Sequence, residues 1–77
     1  MSEVGRLRWR CRRGMKELDV LLERWLSRYG SSATPSERLA FESLLDLQDP
    51  QLARYLLAGE PHPENGIQSV IERIREG

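Results

Sequence analysis

Every apolar run in this chain follows the 3.6-residue period of a helix, and none alternates with the period of two that a half-buried strand requires. That single property excludes sheet architectures. Leu18, Leu21, Leu22, Trp25, Leu26 and Tyr29 keep the period through about four turns and predict a helix from about Met15 to Tyr29. Glu17 and Asp19 fall in its first turn, where the helix macrodipole favours negative charge by about 0.3–1 kcal/mol. Gly30-Ser31-Ser32 ends it.

The remaining stripes are shorter. Val4, Leu7 and Cys11 predict a helix over roughly residues 4–12, with Gly14 as its left-handed C-terminal stop. Thr34-Pro35-Ser36-Glu37 is a helix start, with threonine at the N-cap, proline at N1 and glutamate closing a capping box. Ala40, Phe41, Leu44, Leu45 and Leu47 are its buried face. Asp49-Pro50 reads as a second N-cap and proline pair, opening a helix with Leu52, Tyr55 and Leu56 inward and Gly59 as its stop. Pro61-His62-Pro63 forces an extended loop. Ile67, Val70, Ile71 and Ile74 then define a last helix ending near Gly77. The expected fold is all-α, a compact bundle of about five short helices forming one domain over residues 1–77.

Seventy-seven residues leave little room for an enzyme pocket with a supporting shell. No glycine-rich phosphate loop, zinc spacing or nucleophile elbow is present. The lone Cys11 forms no disulfide within the chain and lies on an apolar stripe, as a small core residue would; with the lone His62 it does not make a zinc site. No aliphatic run is long enough for a membrane span, and the arginine-rich start is too short and serine-poor for a transit peptide. A cytoplasmic protein is expected.

The formal charge is zero, yet residues 1–16 carry five arginines and a lysine against Glu3 alone, and the rest of the chain is acidic. The arginines surround Trp9, which falls off the apolar stripe. Arginines around a tryptophan suit phosphates and bases, but neutral total charge and a core-committed second helix argue against nucleic acid. Arg13-Gly14-x-x-Glu17 lies where the basic segment gives way to the long helix. By spacing alone it is a glycine stop with an exposed i, i+4 ion pair worth a few tenths of a kcal/mol.

The surrounding residues say more. Trp9-x-Cys11-Arg12-Arg13-Gly14-Met15-x-Glu17-Leu18-Asp19, followed by Phe41 through Leu45-Asp46 and then Asp49-Pro50-x-Leu52, resembles the signature of the SdhE family of succinate dehydrogenase assembly factors. The resemblance covers roughly residues 4–75. It implies a bacterial cytoplasmic chaperone, acting as a monomer. Its partner would be the flavoprotein subunit of succinate dehydrogenase, and often that of fumarate reductase. It would promote the bond between FAD and a histidine of that subunit, with the FAD held by the flavoprotein and none bound stably by the factor itself.

Matched residue by residue, the resemblance places Arg13, Gly14 and Glu17 in the partner contact. Arg8, Trp9, Arg12 and Asp19 would flank them, and Asp46, Asp49 and Pro50 would form a second, weaker patch. A general helical interaction module using its basic first helix on an acidic partner is the other reading. A FAD transferase with its own flavin pocket is disfavoured, because no dinucleotide-binding element is visible.

Overall fold

The structure, a computed structural model, describes residues 3–76; the side chains of Glu3 and Val4 are outside that description, as is Gly77. Val4's expected place on the first stripe and the expected helix end at Gly77 therefore lie outside the described residues. Five helices follow in order: α1 (Glu3–Arg10), α2 (Lys16–Tyr29), α3 (Pro35–Leu45), α4 (Asp49–Leu56) and α5 (Asn65–Glu76). No strand occurs among the described residues.

The apolar stripes converge on one core. Leu7 and Cys11 bring α1 onto Leu18, Leu22, Trp25 and Leu26 of α2. Phe41 and Leu44 of α3, Leu52 and Leu56 of α4, and Ile67, Val70, Ile71 and Ile74 of α5 complete it. At its centre Trp25 stacks on Phe41, with ring centroids 4.4 Å apart and planes within 13°, a pairing worth about 0.5–1.5 kcal/mol beyond burial. α5 packs against α2, α3 and α4, so the last helix closes the bundle.

The helix ends are satisfied across the bundle as well as locally. The Thr34 hydroxyl accepts from the Glu37 amide at 3.2 Å, and the Thr34 amide donates to Glu37 Oε1 at 2.8 Å, which is the expected capping box. Glu37 Oε2 also accepts from Arg73 of α5 at 2.7 Å. Arg24 of α2 donates to the Ile74 carbonyl in the last turn of α5 at 3.1 Å. After α4 the chain reverses at Gly59, whose φ of 78° lets the Glu60 amide reach back to the Arg54 carbonyl at 2.9 Å.

Two boundaries differ from the sequence expectation. α1 stops at Arg10 rather than about residue 12, closed by a tighter Arg12 amide to Trp9 carbonyl bond of 3.2 Å. Gly14 therefore lies in the connecting segment and is not the helix stop. Asp49 is not the N-cap of α4: Gln48 holds that position without a side-chain cap, and Asp49 is the first helical residue. Its carboxylate is drawn to a distant arginine instead.

Candidate functional site: the braced turn between α1 and α2

The segment from Cys11 to Met15 turns the chain from α1 into α2. Gly14 makes the turn at φ 88°, a conformation that costs an L side chain roughly 1–2 kcal/mol. Asp19, one turn into α2, reaches back to it. Its Oδ1 accepts from the Arg13 amide at 2.9 Å and its Oδ2 from the Gly14 amide at 3.3 Å. Two backbone donors of the turn are thereby satisfied by one carboxylate near a helix N-terminus, where negative charge is favoured. Asp19 thus shapes the turn from within the chain.

Arg13 braces the same turn from the other side. Its side chain is only 13% exposed. Nε donates to Asp49 Oδ1 at 2.5 Å, Nη1 to the Leu45 carbonyl at 2.8 Å, and Nη2 to the Leu47 carbonyl. The guanidinium thus caps the carbonyl end of α3 and pairs with the first residue of α4. Both placements suit the helix dipoles, cation at a C-terminus and anion at an N-terminus. A planar fork with five donors meets three acceptors in different directions, which an ammonium on a flexible stem does poorly.

The i, i+4 pair between Arg13 and Glu17 is therefore absent. Arg13 is spent inside the molecule. Glu17 is exposed, and its side chain makes no hydrogen bond or ion pair among the described residues. Gly14 is exposed too, and a Cβ built on it meets nothing within 4 Å, so the space above the turn is open.

The other predicted site residues separate into two groups. Trp9 stands 74% exposed on the outer side of α1. Arg8 touches Ser27 of α2 at 3.3 Å, and Arg12 lies 3.9 Å from Glu23 with its side chain 70% exposed. These remain surface groups beside the turn. The second patch is brought against the first: Asp46 pairs with Arg10 at 2.6 Å, Asp49 pairs with Arg13, and Pro50 is exposed beside them. The two sequence motifs form one assembly, with the carboxylates of the second bound to arginines at the end of α1 and in the turn after it.

Sequence reasoning missed Arg10 as the partner of Asp46, because an arginine among arginines carries no individual signal. It also missed the exposure of Val20 (51%) and Leu57 (40%). For Val20 a signal existed, since it falls off the stripe of its own helix.

Cys11 is fully buried, and burial, reinforced by the nearby Glu23 charge, pushes its thiol up to about 12. It is an inert core group, as its spacing suggested. Among the described residues no cluster of three or more His, Cys, Asp or Glu is arranged to hold a metal ion, and no helix is long and apolar enough to cross a membrane.

Five described helices around one core, with a turn braced from both sides and a free carboxylate beside it, define a small all-α protein. The chain belongs, specifically, to the family of flavinators of succinate dehydrogenase, whose family model matches residues 5–77. It is 36% identical over 77 residues to the FAD assembly factor SdhE of Haemophilus ducreyi, an alignment covering 97% of this chain and 94% of that one. Identity with the FAD assembly factor SdhE of Coxiella burnetii is 43% over 72 residues, covering 92% and 87%. With that of Methylococcus capsulatus it is 52% over 65 residues, covering 84% and 77%. No solved structure matches the fold significantly.

Proposed function

We propose that this protein is a flavinylation assembly factor. It binds the flavoprotein subunit of succinate dehydrogenase, and that of fumarate reductase as a second client, and promotes attachment of FAD to a histidine of that subunit. The observation that carries the reading is the division of labour at the turn. Arg13, Asp19 and Asp49 are consumed in fixing it, and Gly14 and Glu17 are left exposed. Family membership supplies the client.

The flavin supplies the bond-forming chemistry, at the 8α-methyl carbon attached to its ring system. The factor needs no catalytic side chain of its own. A rigid docking surface that holds the flavoprotein in one arrangement contributes through orientation, which in favourable cases lowers a barrier by about 7–11 kcal/mol. Gly14 admits close approach of partner backbone, and Glu17 offers an acceptor for charge-assisted bonds. Trp9 and Arg8 extend the contact along α1 and Arg12 continues it past the helix end, and the bacterial origin of the relatives supports a role in the bacterial cytoplasm.

The test is covalent flavin on the client. The flavoprotein subunit is expressed in cells lacking this protein, alone, with the wild type, or with a Glu17→Ala variant of normal helical content. Flavin fluorescence is read in a denaturing gel. Recovery with wild type and loss with Glu17→Ala are expected. Equal fluorescence in all three lanes would overturn the flavinylation role.

A further inference from the structure

α2 carries an aliphatic residue on its solvent side. Val20 sits one turn beyond Lys16 and three residues beyond Glu17, with 51% of its surface exposed. Leu57, just past the end of α4, is 40% exposed, and the half-buried Leu21 lies beside Val20 in the chain. Together with Lys16 and Glu17 they line a shallow depression of about 380 Å³. Leu52 and Leu56 satisfy the core from α4 and Leu18 and Leu22 from α2, so the outward residues are surplus to the bundle.

We propose that this depression is an anchor site for an apolar side chain of the client flavoprotein, presented next to a lysine or arginine that pairs with Glu17. The inference rests on the flavoprotein reading above and extends its contact surface to Val20 and Leu57. Charge selects the neighbour of the anchor. The Glu17 side chain makes no hydrogen bond or ion pair among the described residues, Lys16 at the same rim included, so the group that docks beside this acceptor donates.

Size selects the kind of occupant. Five residues fall far short of the roughly 20–30 per side of a stable standard interface. The hollow cannot hold a second copy by itself and works as one pocket within a wider face. That face is available: it continues from Glu17 to Gly14, above which the space is open. An apolar pocket with a charged group at its edge, inside a larger contact, is the usual form of an interface hot spot.

The test uses exposed positions, so folding is not the variable. The full chain is prepared as wild type, Val20→Ala with Leu57→Ala, Val20→Arg and Glu17→Ala, each checked by circular dichroism and urea midpoint. Affinity for purified flavoprotein subunit lacking covalent flavin is measured by titration calorimetry, and the mass of the free factor by sedimentation. The expected result is at least a tenfold weaker Kd for the double variant and for Val20→Arg, with all free proteins monomeric. Binding by both within twofold of wild type, while Glu17→Ala binds weakly, would overturn the pocket and leave the flavoprotein reading standing. Absence of binding by wild type would remove that reading and the pocket with it. A wild-type dimer that Val20→Arg converts to monomer would assign the hollow to a second copy and overturn the proposal.

Discussion

Replacing Arg13 by alanine removes three donors from one place and leaves three acceptors behind. The Asp49 carboxylate, with its side chain one-third exposed, keeps partial hydration. The Leu45 and Leu47 carbonyls lose the cation that caps the end of α3. A hydrogen bond to a charged group contributes about 1.5–3 kcal/mol, and these three are not additive because water reaches part of the cluster. Discounting for that access, Arg13→Ala should cost about 2–4 kcal/mol. A chain of this length has a total stability of roughly 4–12 kcal/mol, so the loss is a large share of the whole.

Urea unfolding followed by far-ultraviolet circular dichroism measures it. With an m-value of about 1 kcal/mol per molar urea for so small a protein, the midpoint should fall by about 2 M or more at unchanged m. Arg13→Lys should recover less than half of this, because a point charge cannot serve acceptors in three directions. In a double-mutant cycle Arg13 and Asp49 should show a coupling of at least about 1 kcal/mol. A loss below about 0.5 kcal/mol for Arg13→Ala, or coupling near zero, would refute the brace. Arg13 would then be an ordinary surface arginine, available to a partner.

Gly14→Ala and Gly59→Ala should each destabilise by about 1–2 kcal/mol, through φ values of 88° and 78°. The similarity is informative because the surroundings differ. A Cβ at Gly14 meets nothing, whereas one at Gly59 comes within 2.8 Å of the Arg75 guanidinium, the movable end of a flexible side chain. A drop of roughly 4–8 °C in melting temperature per kcal/mol makes both measurable, and a neutral Gly14→Ala would show that backbone strain is not why glycine is there. Glu37 predicts a pH dependence. The Thr34 amide, then the Thr34 hydroxyl contact and Arg73, hold its carboxyl below the ordinary glutamate value. A depressed carboxyl stabilises only while ionised, so its contribution is complete above the unfolded value near about 4.3 and is lost as pH falls through the lower folded value. The urea-midpoint gap between wild type and Glu37→Gln should therefore be widest at neutral pH and close in acid; a gap independent of pH would contradict this assignment.

The five helices and their inward faces were legible in the residues because helix periodicity is a local property. Leu18 through Leu26 and Ile67 through Ile74 declare their buried side within two or three turns, and Thr34 with Glu37 closes its box within one. The left-handed turn at Gly14 was legible for the same reason, since only the residue type and its position beside a helix are needed. The partners of the charges were not. Arg13 had an acidic residue four positions away and chose one 36 positions away. Asp49 had the form of a helix cap and became the far end of a brace. Those choices depend on the angle at which α3 and α4 meet the α1–α2 turn, which no spacing rule contains. Side-chain energies between Arg13 and either carboxylate are comparable at a surface. The bundle decides between them by placing two carbonyls and a one-third-exposed carboxylate around the guanidinium, where each of its three nitrogens donates at once. The sequence alone thus determined which residues fold inward and where the chain turns; the tertiary packing decided that Arg13 is a brace, and that Glu17, Val20 and Leu57 are left exposed.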